Sequence, residues 1–343
     1  MVTGFSYLGA RFPRIAARLP RLPLGQFPTP LEALDAEARL WIKRDDQTHA
    51  LYGGNKIRKL EYLLADARGR GIQQVVTFGG VGSNHALATA LHSRVHGLEC
   101  QCWLMQQRMT SSVAGTLQRH QQNQTDLFVS PRQRAERVQA MRTLRDARNG
   151  DVAVVPLGGT SPLGSIGYVN AAFELAAQWR DTPPERVYVA AGTMGTAAGL
   201  AVGFALLNWP TEVVAVRVTA PSQCNDAGMH KLCRKILHRL HRCESRIDTA
   251  LVPRVSLRTE YLGADYADPT PASNAAVSTA RERWGLPLET TYTGKAMACM
   301  LDELDSRKSN APWLYWHTYS GPAATAGELN PDYESLLALC RSA

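Results

Sequence analysis

The most informative stretch of the sequence is Gly53-Gly54-Asn55-Lys56-Ile57-Arg58-Lys59-Leu60. A double glycine allows a sharp turn and a close approach of the backbone to a ligand, because glycine has no Cβ. The apolar residues between Ile57 and Leu64 recur at helical spacing, so the pattern predicts a helix that begins at about Lys56. Lys56 would then lie on the first turn of this helix, next to whatever the glycines approach.

A lysine in this position has the chemistry of a nucleophile. Its neighbours Arg58 and Lys59 are cations, and a helix N-terminus has partial positive charge. Both effects favour the neutral amine, which is the form that makes a Schiff base. The alternative is a tight turn with solvated lysines, and the spacing alone leaves both interpretations open.

Glycine-bearing loops and helical patterns alternate with short apolar runs along the chain, which indicates parallel α/β units. The predicted strands are at about 40–43, 74–78, 100–105, 152–156 and 187–191. In such sheets ligands bind beyond the carboxyl ends of the strands, where these loops lie. We expect a small inner domain over 56–159 and a larger discontinuous domain formed by 1–55 and 160–343.

A second glycine loop follows the strand at Val187–Ala191. It is Gly192-Thr193-Met194-Gly195-Thr196, and an Ala-rich helix follows it. Backbone N–H groups of such a loop, the helix N-terminus and the threonine hydroxyls can bind a phosphate. The loop lacks the Gly-Lys-Ser/Thr ending of a nucleotide P-loop, and it is a poor match to a dinucleotide fingerprint. A tight strand-to-helix turn is the alternative explanation.

Polar groups also occur at other predicted turns. Ser83-Asn84-His85 stands at a strand-to-helix turn, where its donors suit a substrate carboxylate, although Ser and Asn also cap helices for local reasons. Tyr266 and the run Tyr292-Thr293-Gly294-Lys295 come later, and buried tyrosines are often core residues with one bonded hydroxyl. Trp316-His317-Thr318 follows a strand-like run.

Composition excludes several classes of protein. The chain has 343 residues, 45% of them hydrophobic, and a formal charge of +8, as in a basic globular protein. We expect no signal peptide and no membrane span. Seven scattered cysteines without Cys-x-x-Cys spacing predict neither a disulfide scaffold nor a metal site, so a reducing cytoplasm is the simplest setting. The basic stretch 230–243 has a helical apolar stripe, and without aromatic residues it is poorly suited to nucleic acid.

Four separated motifs resemble the D-cysteine desulfhydrase and 1-aminocyclopropane-1-carboxylate deaminase family. They are Lys43-Arg44-Asp45-Asp46, Gly53-Gly54-Asn55-Lys56, Arg58-Lys59-Leu60-Glu61 and Gly82-Ser83-Asn84-His85. The likeness extends from about Phe12 to Gly321. It implies the tryptophan synthase β-like fold of fold-type-II pyridoxal-phosphate enzymes, which has two open, mainly parallel α/β domains with pyridoxal 5′-phosphate in the cleft between them. It also implies a homodimer.

The resemblance implies roles for individual residues. Lys56 matches the lysine that binds the cofactor covalently. Ser83, Tyr266 and Tyr292 match catalytic residues, and Ser83 would bind the substrate carboxylate and assist proton transfer. The implied cofactor contacts are Lys56, Lys59, Asn84, Gly192, Thr193, Met194, Gly195, Thr196, Thr293 and Thr318. The implied substrate contacts are Ser83, Asn84, His85, Tyr266, Tyr292 and Tyr319.

The subtype follows from single positions. His85 and Thr293 match the desulfhydrase pattern, whereas the deaminase pattern has Gln and Glu there. The sequence departs from the family at Ala86–Thr89, where an Arg is usual, at Ala267, where Tyr-Gly-x-Pro is usual, and at Tyr319-Ser320, where Gly-Gly is usual. These departures lie near the expected substrate site.

We therefore expect a pyridoxal-phosphate lyase or deaminase that acts on a small amino acid, with D-cysteine as the leading substrate. The implied reaction is β-elimination to pyruvate, ammonia and sulfide, in which Lys56 or Ser83 removes the α-proton. One alternative is cyclopropane-amino-acid deamination, and another is elimination or deamination of a different amino acid. A third is a protein that binds the cofactor without turnover. A nucleic-acid-binding protein is a further alternative that salt-dependent binding would support.

Overall fold

The computed structural model describes residues 4–50, 52–107, 111–129, 146 and 149–319. The described chain divides into two compact units. The first unit contains the residues up to Tyr62 and those from Thr160 onward, and the second contains the residues from Leu63 to Gly159.

Strands and helices alternate through most of the described chain. The strands are β1 Leu31–Asp35, β2 Leu40–Arg44, β3 Gln74–Gly80, β4 Glu99–Met105, β5 Asp126–Val129, β6 Val152–Val155, β7 Arg186–Ala191, β8 Glu212–Arg217, β9 Val255–Arg258 and β10 Trp313–His317. The α-helices are α1 Tyr7–Arg11, α2 Pro13–Arg18, α3 Lys56–Gly69, α4 Asn84–Val95, α5 Ser111–Gln122, α6 Pro162–Gln178, α7 Gly195–Leu206, α8 Asp226–Cys243, α9 Pro271–Trp284 and α10 Thr293–Leu304.

The first unit is built on a six-stranded sheet with the order β1-β2-β10-β7-β8-β9. Only β1 and β2 pair antiparallel, and all other neighbours are parallel. The central strands are continuous apolar runs, because helices cover both faces of a parallel sheet. One apolar cluster includes residues of α6, α7 and α8, and a second includes residues of α9 and α10.

Helices α6 and α7 pack backbone to backbone within the first unit. A Cβ on Gly199 would lie 2.4 Å from the carbonyl oxygen of Ser165 and 2.5 Å from the Cβ of Tyr168. Only glycine permits this approach, so the position of the N-terminus of α7 relative to α6 is fixed. This contact determines which side chains of α6 reach the glycine loop.

The second unit is a four-stranded parallel sheet with the order β5-β4-β3-β6. Its core includes apolar side chains of α4, β4 and α5. Ser83 caps α4 by accepting a hydrogen bond from the backbone N–H of Ala86 at 3.2 Å. The carboxyl end of β3 thus leads directly into the Ser83-Asn84-His85 turn.

Buried charges join four elements of the first unit. The guanidinium of Arg58, on α3, donates to both oxygens of Asp45 at 2.7 and 2.8 Å and to both oxygens of Glu174 at 2.9 Å. Lys43 of β2 donates to Glu174 at 2.7 Å. All four side chains are buried, and their two positive and two negative charges balance. Burial alone would raise the pKa of Glu174, but Arg58 and Lys43 lower it to about 2.

The sequence-based prediction of an α/β fold with two mainly parallel sheets is confirmed. The predicted strands at 40–43, 74–78, 100–105, 152–156 and 187–191 are present, and α8 buries the apolar stripe Leu232, Ile236, Leu237 and Leu240. The second unit begins at Leu63, whereas the predicted inner domain began at Lys56, and the described part of this unit ends at Gly159. The predicted domain division remains a prediction, and its part at 320–343 lies outside the described residues.

No helix in the described part of the chain is long and apolar enough to cross a membrane.

We expect Arg58→Ala to lower the free energy of unfolding by about 3–5 kcal/mol, because it leaves two buried carboxylates with only Lys43 as a charged partner. Urea unfolding of the full chain measures this loss. The matched control is Arg70→Ala, because Arg70 forms an exposed pair with Asp66, and this variant should change stability by less than about 0.5 kcal/mol. Equal effects of the two substitutions would contradict the structural role of the buried cluster.

Candidate active site

Lys56 is the first residue of α3, as predicted. Gly54 precedes it with φ +87°, a conformation that suits glycine. The amine of Lys56 donates to Oδ1 of Asn55 at 2.8 Å. The side chain retains some exposed surface, but desolvation of the amine lowers its pKa from 10.5 to about 8. The neutral fraction of this lysine near neutral pH is therefore much larger than that of a solvated lysine.

The physical cause of the lowered pKa of Lys56 differs from the one that the sequence suggested. Burial lowers the pKa of Lys56, and the neighbouring cations are not the cause. Arg58 is engaged by Asp45 and Glu174, so carboxylates balance its charge. Lys59 responds to both effects, because burial first and the charge of Lys56 second lower its pKa.

The predicted glycine loop connects β7 to α7. Met194 adopts φ +68° at the N-cap position, and no side chain caps the helix. The hydroxyl of Thr219 donates to the carbonyl oxygen of Gly192 at 2.6 Å and fixes the start of the loop. The loop therefore presents an uncapped helix N-terminus, which attracts anions.

Donor groups converge on the first residue of α7. A Cβ on Gly195 would lie 2.6 Å from Oγ1 of Thr160, 3.0 Å from Nζ of Lys59 and 3.0 Å from Oγ of Ser165. The amine of Lys59, two hydroxyls and a helix N-terminus thus surround a space that only a glycine leaves open. We name these four residues, Lys59, Thr160, Ser165 and Gly195, the anion site. Its donor set fits the phosphate of pyridoxal phosphate.

Asn55 links the amine to the anion site. Its Oδ1 accepts from Lys56, and its Nδ2 donates to Oγ1 of Thr196 on α7 at 3.1 Å. Its backbone N–H donates to the carbonyl oxygen of Thr318 at 2.9 Å. The structure therefore brings together Lys56, Thr196 and Thr318, three residues that the sequence placed at the cofactor.

Tyr266 and Tyr292 form a pair. Their hydroxyl groups are hydrogen-bonded, and their rings meet edge to face with centroids 6.1 Å apart. Burial is the main cause that raises the pKa of both phenols, and for Tyr292 the neighbouring Tyr266 raises it further. Both tyrosines are therefore protonated at neutral pH and can donate hydrogen bonds.

Glu289 orients this pair and was missed by the sequence interpretation. Its Oε1 accepts from the backbone N–H groups of Tyr292 and Thr293 at 2.9 and 2.7 Å, and from the hydroxyl of Thr293 at 3.0 Å. The carboxylate thus satisfies the first turn of α10. An acidic residue just before a predicted helix was the available signal. The predicted cofactor contact of Thr293 remains a prediction, because the described partners of its hydroxyl are atoms of Glu289.

The predicted site residues Thr318 and Tyr319 follow directly after His317, the last residue of β10. Thr318 is buried and Tyr319 is half-buried. His317 is fully buried without a hydrogen-bond partner among the described residues, and burial lowers its pKa to about 4. Ser320, the second residue of the departure at Tyr319-Ser320, lies outside the described residues.

One departure from the family pattern has a backbone consequence. Ala267, which follows Tyr266, adopts φ +67°, where a residue with a Cβ is strained and glycine is comfortable. The same loop is held by Lys295 of α10, whose amine donates to the carbonyl oxygen of Leu262 at 2.5 Å. The position of Tyr266 therefore depends on a strained residue and on a buried lysine.

The remaining predicted residues lie in the second unit. Ser83 is the N-cap of α4, so the local explanation for this residue is observed alongside the proposed one. Asn84 is half-buried at the start of the helix. The ring of His85 is 3% exposed, and its Nε2 lies 2.9 Å from Oγ1 of Thr77. The substrate contact predicted for His85 remains a prediction.

Residues 22–318 match the protein family described as "Pyridoxal-phosphate dependent enzyme". The chain belongs to this family. It is an enzyme family, and its cofactor is pyridoxal phosphate. The match includes Lys56, Asn55 and the whole anion site.

Individual proteins similar to this chain give more specific information than the family does. The D-cysteine desulfhydrase of Salmonella paratyphi A is 33% identical over 324 residues, which cover 90% of this chain and 96% of the relative. A solved structure described as an "ACC deaminase homologue" is 29% identical with a TM-score of 0.77, and it covers 98% of this chain and 100% of its own. Threonine deaminase isoform 2 from Solanum lycopersicum, at 15% identity, covers 98% of this chain and 94% of its own, and shares the fold with a TM-score of 0.63. The predicted family and fold type II are confirmed.

We expect Gly195→Ala to weaken binding of pyridoxal phosphate about 5- to 150-fold, because the added Cβ fills the anion site and overpacking costs about 1–3 kcal/mol. Equilibrium dialysis of cofactor-free protein measures the loss. Pyridoxal, which has no phosphate, is the control ligand, and its affinity should change less. An unchanged affinity for pyridoxal phosphate would place its phosphate elsewhere.

Trapping of the cofactor on Lys56 should depend on pH. The folded pKa of about 8 predicts that the neutral amine reaches half of its population near pH 8 rather than near pH 10.4, the value of a solvated lysine. Brief mixing of cofactor-free protein with pyridoxal phosphate, borohydride reduction and peptide mass spectrometry report the yield at Lys56 separately from Lys59. A half-maximal yield above pH 10 would contradict the desolvated amine.

Proposed function

We propose that this protein is a D-cysteine desulfhydrase-like lyase, which converts D-cysteine and one water molecule into pyruvate, ammonia and sulfide. The observation behind this proposal is the arrangement in one unit of a lysine with a lowered pKa, an anion site and a buried tyrosine pair. The 33% identity to a D-cysteine desulfhydrase supports the choice of substrate.

The residues of the chain have distinct tasks in this reaction. Pyridoxal phosphate in this site would supply an electron sink for the charge that develops at the α-carbon of the amino acid. Lys56, in its neutral form and hydrogen-bonded to Asn55, would accept the α-proton. Tyr292 and Tyr266, which are protonated at neutral pH, would donate a proton to the departing thiolate.

Other residues would hold the reactants. The cofactor phosphate would be bound by Lys59 and by the glycine loop, which consists of Gly192, Thr193, Met194, Gly195 and Thr196. From the family resemblance we propose that Ser83 binds the substrate carboxylate and that Asn84 contacts the cofactor. Thr318 would face the ring nitrogen, and its neutral hydroxyl would leave the ring less electron-withdrawing than a carboxylate partner would, as suits β-elimination.

Deamination of a cyclopropane amino acid is the second candidate, and the likeness to an "ACC deaminase homologue" favours it. Thr293 in place of Glu and His85 in place of Gln are the positions that count against it. Binding of the cofactor without turnover is a third candidate, supported by the departures at Ala267 and Tyr319.

The decisive assay supplies the reconstituted protein with D-cysteine, L-cysteine and 1-aminocyclopropane-1-carboxylate in separate reactions. We expect sulfide and pyruvate in equal amounts from D-cysteine, and a visible absorbance band of the lysine-bound cofactor. Lys56→Ala should lose both band and products, whereas Lys231→Ala, at an exposed lysine of α8, should retain both. Tyr292→Phe should retain the band and lose about 10²- to 10⁴-fold in rate.

Each other outcome selects a different function. Ammonia from the cyclopropane substrate without sulfide from D-cysteine would support the deaminase. A Lys56-dependent band without turnover of any amino acid would support cofactor binding alone. Absence of the band after reconstitution would reject the proposal as a whole.

We also propose a homodimer in the reducing cytoplasm. The family resemblance supports the dimer, and the free thiols of the described cysteines are consistent with a reducing setting. Light scattering of purified protein at micromolar concentration tests the oligomeric state.

A further inference from the structure

Ser165 lies on the first turn of α6 and is fully buried. Its Oγ makes no hydrogen bond within the described residues. A serine inside a helix commonly donates to the carbonyl oxygen four residues earlier. Here only the backbone N–H of Ser165 bonds to the oxygen of Ser161, at 2.9 Å. The hydroxyl therefore occupies a buried position without the usual partner.

The position of this hydroxyl indicates what it could bind. Oγ of Ser165 and Nζ of Lys59 lie at the same distance, 3.0 Å, from the point that a Cβ on Gly195 would occupy. The third side chain of the anion site is already engaged, because Oγ1 of Thr160 lies 2.7 Å from Oγ1 of Thr193. Ser165 is thus the hydroxyl of the site that has no hydrogen-bond partner among the described residues.

The backbone holds Ser165 in this position. Its carbonyl oxygen lies against Gly199 of α7, where a Cβ would be only 2.4 Å away. The α6–α7 contact therefore fixes the distance between Ser165 and the N-terminus of α7. An unpaired buried hydroxyl destabilises a fold, so its retention in a preformed site indicates a partner that binds there.

We propose that Ser165 is a ligand of the cofactor phosphate and donates its hydroxyl hydrogen to a phosphate oxygen. This residue is outside the glycine loop 192–196 and outside the Lys56–Lys59 motif, and neither pattern indicated it. This inference rests on one part of the proposed function, the binding of pyridoxal phosphate. It does not depend on the amino-acid substrate.

The first test compares wild-type protein and Ser165→Ala, both cofactor-free, in their affinity for pyridoxal phosphate and for pyridoxal. One hydrogen bond to a charged group corresponds to a loss of about tenfold or more. We expect that loss for pyridoxal phosphate and less than a twofold change for pyridoxal. Equal losses for both ligands, or no loss for either, would overturn the proposal.

The second test uses the sign of a stability change. Without ligand, Ser165→Ala should raise the melting temperature, because it removes an unpaired buried hydroxyl. With saturating pyridoxal phosphate, it should lower the melting temperature relative to wild type. Ser93→Ala is the matched control, since Ser93 is equally buried on α4 and its Oγ has no partner among the described residues. This control should respond identically with and without ligand.

The outcomes also separate this inference from the proposed function. A tenfold difference in phosphate-dependent affinity without turnover of D-cysteine would reject the substrate and retain Ser165 as a ligand. Turnover of D-cysteine together with an unchanged affinity of Ser165→Ala for pyridoxal phosphate would support the substrate and reject Ser165 as a ligand. Wild-type protein that binds neither pyridoxal phosphate nor inorganic phosphate would overturn the inference.

Discussion

The buried contact of Arg58 with Asp45 and Glu174 is the constraint on which the site depends. Removing charges from water costs several kcal/mol per ion, and only close, well-satisfied pairs recover that cost. Here Asp45 also accepts from Tyr168 and from Trp316, both at 2.7 Å. Every strong donor in this cluster therefore has an acceptor, and α3, α6 and β10 are held to the segment after β2.

Lys56 and Lys59 lie on the same helix as Arg58, two residues before it and one after. The first turn of α3 cannot shift without breaking the buried contacts of Arg58. Desolvation of the two amines is therefore a consequence of where the ion cluster places α3. In the proposed function the two lysines have opposite needs, since Lys56 would lose its proton to react and Lys59 would attract an anion. An anion at the site of Lys59 would favour the charged form of that amine and compensate its burial.

The sequence predicted well those features that depend on local pattern. Continuous apolar runs indicated the strands, and Gly-Gly-Asn-Lys followed by a helical stripe indicated the start of α3 at the correct residue. Features that depend on contacts distant in sequence were missed or given the wrong cause. Ser165 reaches the anion site only through the α6–α7 packing. The positive charge of Arg58 is balanced in part by Glu174 of α6. No spacing rule reveals either contact.

The cofactor and substrate ends of the proposed site differ in how firmly the fold holds them. The amine of Lys56, the anion site and Asn55 are connected to buried charges and to backbone contacts that tolerate no added atom. The loop with Tyr266 instead includes Ala267 at φ +67°. It is attached to α10 by hydrogen bonds from Lys295 to Leu262 and from Tyr261 to Asp302 and by the tyrosine pair. A substitution in this loop changes local strain without disturbing the ion cluster. Substrate preference can therefore diverge within this fold while the cofactor contacts stay constant, and the departure from the family pattern at Ala267 lies in this loop.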